Sequence, residues 1–326
     1  MFDTLQTGSV HFPARIYDGI DETIGHTPLV ALNRMAKQRG FVGRILAKVE
    51  YMNPAGSVKD RPAAAMLHRL MASPDFTART ELIEATSGNN GVACAWLCAL
   101  YGIPLTIVIP EHMSVERQQL IRLYGAKLVT TPKSLGTKGA IDEAARRVAA
   151  NPHALSLDQF ANPANPEAHI QTTAQELLHD TQGNIDVLVA GVGTGGTISG
   201  LAEALKPSCP WLEVVAVEPA RCPVLSEGRA GVHNIQGLSS GHVPKVLNQQ
   251  CYHRVLTVDD DEAIAEARAL ARTEGLAVGI SSGATFAVAA RLAADERYRN
   301  KHIVIILADS AQRYFSTPLF ASEASS

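Results

Sequence analysis

ELIEATSGNNGVACAWLCALYGIPLTIVIP, residues 81–110, decides the fold class. From Ala85 to Pro110 there is no charged residue, so the stretch is either a membrane span or buried interior. A spanning helix needs about 20 consecutive apolar residues. Gly102 and Pro104 split this run into a helix of about three turns and a short β-branched strand, LTIVI. A buried helix feeding a buried strand is the repeating unit of a parallel sheet covered on both faces. Cys94 and Cys98, at i and i+4 on that helix, could share a metal. With no nearby histidine or second cysteine pair, core thiols explain them better, and no metal is expected.

The same unit recurs on either side. Strand-like runs stand at 45–50, 81–86, 105–110, 126–131, 185–190, 213–218 and 302–307, and helical runs lie between them, as in RPAAAMLHRLMA and DDEAIAEARALARTEG. The expected fold class is therefore α/β, with mostly parallel sheets and ligands at the strands' carboxyl ends. The 326 residues suggest two domains or one large α/β unit, and the Asn/Pro-rich stretch NPHALSLDQFANPANP, at 151–166, marks a weak boundary. A composition of 46% hydrophobic and 19% charged residues supports a substantial core. Net charge is −3 with no dense basic run, which argues against nucleic acid and acidic membrane surfaces as partners. Five cysteines without a spacing framework fit a reducing compartment, and the N-terminus lacks the pattern of a signal peptide, so a cytoplasmic location is expected.

Four loops carry candidate chemistry. In NPAGSVKDRPA (53–63), Ser57 is a plausible N-cap, and Asp60 suits a first helical turn. Lys59 does not, because a cation there opposes the helix dipole. It could be a solvated lysine, a phosphate clamp, or an amine whose lowered pKa makes it a nucleophile. TSGNNG (86–91) follows a strand and opens a helix, as an anion site or an ordinary Asn-capped turn does. GVGTGGT (191–197) satisfies G-x-G-x-x-G through Gly191, Gly193 and Gly196, with Glu218 ending the next strand. A nicotinamide-dependent oxidoreductase is thus a serious rival to a phosphate-monoester site, although Thr194 and Thr197 suit a phosphate dianion. In GISSGATFAVAA (279–290), the serine pair is an N-cap or a neutral hydroxyl facing a ring nitrogen.

Taken in order, NPAGSVKDR, TSGN-x-G, GTGGT and GISSGA, with IGHTPLV (24–30), DQFANPANPEAH (158–169) and RYFST (313–317), resemble the fold-type II pyridoxal-phosphate enzymes. The resemblance is to the group of cysteine synthase (O-acetylserine sulfhydrylase) and the cystathionine β-synthase core, and it runs from about Ile24 to Leu319. It implies two three-layer α/β/α domains like the tryptophan synthase β chain. A smaller, mobile domain over 46–157 would carry the lysine and substrate loop. A larger one over 158–326, joined by 1–45, would carry the phosphate loop. It implies pyridoxal 5'-phosphate as cofactor and Lys59 as the Schiff-base lysine. Gly193, Thr194, Gly195, Gly196 and Thr197 would cup the phosphate, Asn89 would meet the ring hydroxyl, and Ser281 the ring nitrogen. Thr86, Ser87, Gly88, Asn89, Asn90 and Gln159 would hold the substrate carboxylate.

The implied reaction is β-replacement. The freed Lys59 amine takes the α-proton of an O-activated serine, the β-substituent leaves, and a nucleophile such as sulfide adds. The partners implied are an amino-acid substrate, a small nucleophile and a second copy of the chain. Two departures from the family pattern bear on the substrate. Asn90 stands where threonine is usual, and IQG continues as LSSGHVP (238–244), with Ser239 for a glycine and His242 for an aromatic residue. They suit O-phosphoserine as donor, or an amine or thiol amino acid as nucleophile, as in diaminopropionate-type or cystathionine-type synthases; neutral drift carries equal weight. A noncatalytic amino-acid-binding regulator is a third class, opposed by the intact Lys59, phosphate loop and Ser281. Arg221 and Arg313 are not distinguishable from surface arginines by sequence.

Overall fold

The computed structural model describes residues 16–86, 88–111 and 113–321. Among the described residues ten strands, β1 (Leu29–Ala31), β2 (Arg44–Val49), β3 (Glu81–Ala85), β4 (Leu105–Pro110), β5 (Lys127–Thr131), β6 (Ala154–Leu155), β7 (Val187–Gly191), β8 (Glu213–Pro219), β9 (Arg254–Val258) and β10 (His302–Leu307), form two sheets. One has the order β1-β2-β10-β7-β8-β9 and the other β5-β4-β3-β6. Every pairing is parallel except β1 with β2. The helices are α1 (Asn33–Arg39), α2 (Asp60–Met71), α3 (Asn89–Tyr101), α4 (Val115–Leu123), α5 (Gly136–Ala150), α6 (Ala164–Ala168), α7 (Ala174–Thr181), α8 (Gly196–Leu205), α9 (Val224–Glu227), α10 (Asp260–Glu274) and α11 (Ile280–Ala294).

Strand alternation feeds both faces of each sheet. Val187, Val189, Val215 and Val217 pack with α10 and α11, while Leu188, Ala190, Val214 and Ala216 pack with α7 and α8. In the second sheet Leu82 and Ile107 face α2, α3 and α4, while Ile83 and Val108 face α5. Each such Val, Leu or Ile side chain contributes about 1.5–3 kcal/mol by burial. That two-sided covering is why these strands read as continuous apolar runs. The charge-free helix is α3, buried from Asn90 to Cys98 and closed by Gly102 in the left-handed region at φ 67°. Cys94 and Cys98 are buried free thiols in its core, as expected. Among the described residues no helix is long and apolar enough to cross a membrane.

The expected division at residue 46 falls inside β2, which pairs with β1 and β10 in the six-stranded sheet. The change of sheet comes between β2 and β3. An apolar strand such as ILAKV carries no local mark of which sheet it joins. The four-stranded sheet lies wholly within 81–155. Within it β3 sits between β4 and β6, so the loop after β3 opens at the point where its neighbours diverge. The loop after β7 likewise opens between β10 and β8.

Candidate active site

These two loops and the start of α2 meet at one cavity of about 240 Å³. Lys59, Thr86, Gly88, Asn89, Asn90, Gln159, Gly193, Thr194, Gly195, Thr197 and Ser281 all line it. Gly196 stands just behind, as the first residue of α8. Ser87 lies outside the described residues.

Lys59 itself is the N-cap of α2, not Ser57 as expected. The tight turn puts Ser57 two residues too early, and its hydroxyl accepts from the Lys59 backbone N–H at 3.2 Å. Burial pushes the Lys59 pKa below that of an ordinary lysine, against the opposing charges of Asp309 and Glu50. The helix N-terminus adds to the bias against the ammonium form. Among the described residues its amine makes no hydrogen bond or ion pair. A solvated surface lysine would not be so placed. The geometry gives an amine held toward neutrality at a cavity wall, which is what imine formation needs.

The glycine loop is shaped by what lies behind it. A Cβ on Gly193 would come within 2.2 Å of the Gly237 carbonyl oxygen, and one on Gly196 within 2.0 Å of Asn165 Oδ1. Gly195 adopts φ +83°. No side chain fits at these positions, and Gly193, Thr194, Gly195 and Thr197 line the cavity at the N-terminus of α8, a place suited to an anion. Two side chains from the α6 segment steady the loop from beneath. Asn165 Nδ2 donates to Thr194 Oγ1 at 3.1 Å and to the Gln159 carbonyl at 2.7 Å. His169 Nε2 lies 3.2 Å from Thr197 Oγ1, and its Nδ1 lies 2.9 Å from Thr173 Oγ1. Burial, then the charges of Arg61 and Lys59, push the His169 pKa well down, so the ring is neutral.

The loop after β3 is supported differently. Asn89 Nδ2 donates to Asp309 Oδ2 at 2.7 Å, and its Oδ1 accepts from Arg313 at 2.6 Å. One amide hydrogen remains for a ligand. Asp309 also accepts from Tyr314 at 2.7 Å and from Arg117 at 3.5 Å. Arg313, unlike a surface arginine, is buried and also donates to the Ala55 carbonyl. Arg221, by contrast, has a largely exposed side chain, 3.8 Å from Asp260.

Sequence reasoning missed Arg117, Gln236, His233 and Asp309. Arg117 and Gln236 line the cavity and are hydrogen-bonded to each other. His233 Nδ1 accepts from the Ile235 N–H at 3.2 Å, so its Nε2 carries the proton donated to the Ser239 carbonyl at 3.0 Å. Only the RYFST and IQG motifs hinted that these segments approach the site. His242 is exposed at the rim, its ring centroid 5.5 Å from that of Phe160.

Two details separate the phosphate-monoester site from a dinucleotide site. Glu218, which would read a ribose, is buried and spends both oxygens on Leu225 N, Ser226 N and Ser226 Oγ, capping α9. The loop lies beside a partnerless lysine amine, which hydride transfer does not require. Ser281 lies within the first turn of α11, whose N-cap is Gly279, and presents a neutral side chain to the cavity.

Comparison with known proteins agrees with this geometry. Residues 20–309 match the family described as pyridoxal-phosphate dependent enzymes. Cysteine synthase A of Escherichia coli (strain K12) is 45% identical over 317 residues, covering 94% of this chain and 97% of the relative. Cysteine synthase B of Campylobacter jejuni is 42% identical over 307 residues, covering 94% and 100%. Among solved structures, cysteine synthase from Entamoeba histolytica superposes with a TM-score of 0.93 at 36% identity, covering 98% of this chain and 96% of that one. O-ureido-L-serine synthase does so at 0.91 and 38%, covering 96% and 98%.

Proposed function

The chain belongs to the pyridoxal-phosphate dependent enzyme family, and from that premise we propose that it replaces the β-substituent of O-acetyl-L-serine with sulfide to give L-cysteine. The observation that carries this reading is the Lys59 amine, partnerless and biased toward neutrality, in one cavity with an anion-binding loop. The residues fit the cofactor: the loop leaves no room for a Cβ at Gly193 or Gly196, it opens a helix N-terminus at the cavity, and Ser281 rather than a carboxylate lines the wall. Bound there, pyridoxal phosphate supplies an electron sink for bond cleavage at the substrate's α- and β-carbons.

The chain's own residues would do the rest. Gly193, Thr194, Gly195, Gly196 and Thr197 hold the phosphate. The free amide hydrogen of Asn89 meets the ring hydroxyl, and the Ser281 hydroxyl meets the ring nitrogen without fixing a proton on it. That neutral contact favours elimination over transamination. Thr86, Ser87, Gly88, Asn89, Asn90 and Gln159 bind the substrate carboxylate, which orients the α-proton toward Lys59. Lys59 takes that proton as general base once substrate has displaced it. We extend the proposal to a homodimer in the cytoplasm, and to closure of the four-stranded-sheet unit over bound substrate, which would exclude water. A second reading, a bulkier amine or thiol nucleophile or an O-phosphoserine donor, draws on the polar residues Asn90, Thr137, Ser239 and Ser240 along the cavity.

Borohydride reduction followed by peptide mapping tests the central residue. The reduced pyridoxyl group is expected on Lys59, and Lys59→Ala should lose the visible band and about 10²–10⁴-fold in turnover. Label on another lysine, or on none, overturns the reading. Spectra recorded with O-acetyl-L-serine and with O-phospho-L-serine then identify the donor.

A further inference from the structure

Gln236 and Arg117 line the cavity together, and Arg117 donates through Nη1 to Gln236 Oε1. An arginine has donors only, so the amide atom facing it is the oxygen and the amide's orientation is fixed. Among the described residues Gln236 Nε2 has no hydrogen-bond partner, and it is not one of the unpaired atoms closed off from solvent. Arg117 is 2% exposed, so the amide tied to it stands at the cavity wall rather than in bulk solvent. Arg117 is held in turn by Asp309 at 3.5 Å and by the ring of Tyr314, whose centroid is 4.7 Å from the guanidinium carbon. A cation on its oxygen polarises the amide and makes its N–H groups stronger donors. Gln236 thus offers the cavity donors and no acceptor.

The neighbouring chain limits which part of a ligand this donor can meet. A Cβ on Gly237 would stand 3.8 Å from Ser281 Oγ, and the Gly237 carbonyl oxygen backs Gly193. Arg117 Nε lies 3.8 Å from where a Cβ on Gly88 would stand. The Gln236 amide therefore lies between the wall of Ser281 and the glycine loop on one side and the loop after β3 on the other. On the proposed assignment other residues already meet the phosphate, the ring nitrogen, the ring hydroxyl and the substrate carboxylate. The β-substituent of the substrate is left without a partner, and its ester and departing carboxylate oxygens are acceptors. Thr137 and Ser240 also line the cavity, but a hydroxyl rotates and serves as donor or acceptor alike.

We infer that Gln236 is a catalytic residue that donates from Nε2 to the leaving group of the O-activated serine, with Arg117 as its positioning residue. The inference rests on the β-replacement reading. In the elimination half O-acetyl-L-serine loses acetic acid overall. The α-proton goes to Lys59, and the electron pair it leaves forms the new carbon–carbon double bond. The bond from the β-carbon to oxygen breaks with its pair going to acetate. Negative charge grows on that carboxylate as the bond breaks, so a donor fixed beside it binds the transition state more tightly than the ground state. Sulfide adds after acetate has left and draws nothing from Gln236.

The test compares O-acetyl-L-serine with β-chloro-L-alanine on the holoenzyme, following the visible spectrum and the release of acetate or chloride before any nucleophile is added. Chloride departs with little help and serves as the internal control. Read as a ratio within each protein, the rate with O-acetyl-L-serine over that with β-chloro-L-alanine should fall about tenfold or more in Gln236→Met, as a hydrogen bond to a charged group is lost. The same is expected of Gln236→Glu, which keeps the shape but turns an acceptor toward the leaving group. Sulfide addition in a second mixing step should stay within about threefold of native in both variants. A readout apart from turnover uses 3-acetamido-L-alanine, which has NH in place of the ester oxygen and does not eliminate. By calorimetry the native holoenzyme should bind it about fivefold or more tighter than L-norleucine, which has the same chain length and no carbonyl, and Gln236→Met should erase that preference. Equal losses with both donors, a loss confined to sulfide addition, or a carbonyl preference that survives Gln236→Met overturns the inference. If neither donor changes the spectrum of the native enzyme, the β-replacement reading has failed first and this inference goes with it.

Discussion

The glycine loop after β7 and the amide loop after β3 both join a parallel strand to a helix N-terminus, yet they are finished differently. Around the first, the polar groups are matched: Thr194 to Asn165, Thr197 to His169, and the Gln159 carbonyl to Asn165. Around the second, buried polar atoms are left over: both ends of the Asn90 amide, Arg117 Nε and Asp309 Oδ1. Arg117 Nε lies near Gly88, 3.8 Å from where a Cβ would stand. On the proposed assignment the first loop holds one ligand through every turnover and the second binds and releases substrate; each unsatisfied group left around the second costs about 1–3 kcal/mol.

The contrast breaks most visibly at Gly193. An alanine there meets the Gly237 carbonyl oxygen at 2.2 Å, and backbone cannot yield as a flexible side chain does. Gly193→Ala should weaken pyridoxal phosphate binding by about 100-fold or more and destabilise the protein by about 1–3 kcal/mol. Cofactor titration followed by fluorescence, with thermal unfolding alongside, measures both. An affinity within threefold of native would show that the loop is not the rigid element described here.

Asn165→Ala sharpens the comparison by removing only the support. It strands the Gln159 carbonyl and frees the Thr194 hydroxyl to turn. One lost buried bond costs about 1–3 kcal/mol. Cofactor affinity should fall about tenfold, with a smaller change in the KM of O-acetyl-L-serine at saturating cofactor. The reverse pattern would place Asn165 with the substrate loop.

The phosphate side was the more legible in sequence because glycine and threonine requirements are local. GVGTGGT displays in seven residues the turn, the close approach and the hydroxyls. Its supports were less so: Asn165 and His169 lie in α6 and a π-helical turn at His169–Thr173 that alternation did not reveal. The apolar runs gave seven of the strands, but not β1, β6 or β9, which are short or only partly buried. On the substrate side TSGNN was legible, whereas Asp309, Arg117 and Gln236 come from three distant segments. No local pattern tells a buried arginine such as Arg313 from a surface one. Its identity depends on Ala55 and Asn89, 258 and 224 residues away.

Asp309 links the two regions electrostatically. Its charge raises the Lys59 pKa while burial lowers it. Asp309→Asn removes the raising influence, so Lys59 deprotonates at lower pH. Because the neutral amine would be the base in the proposed reaction, the acidic limb of the kcat profile should move to lower pH, and turnover on that limb should rise about two- to fivefold relative to the optimum. A limb that moves to higher pH would mean that Asp309 acts mainly by holding Asn89, through the 2.7 Å bond.

Ser239 yields the smallest expected effect and tests whether the departure from the family's glycine is merely tolerated. It adopts φ +37°, a region that costs a non-glycine residue about 1–3 kcal/mol. Several contacts hold it there: its N–H donates to the Val192 carbonyl at 2.9 Å, its hydroxyl to the Cys222 carbonyl at 3.3 Å, and the Cys222 thiol is 3.2 Å from that hydroxyl. Ser239→Gly relieves the strain but adds about 0.5–1 kcal/mol of unfolded-chain entropy and forgoes the side-chain bonds. The terms nearly cancel, so the melting temperature should move by less than about 3 °C. The informative readout is therefore specificity. If Ser239 serves the second substrate, the ratio of thiol-amino-acid to sulfide turnover falls in Ser239→Gly while stability holds. If that ratio is unchanged, the wall is polar by drift at this position.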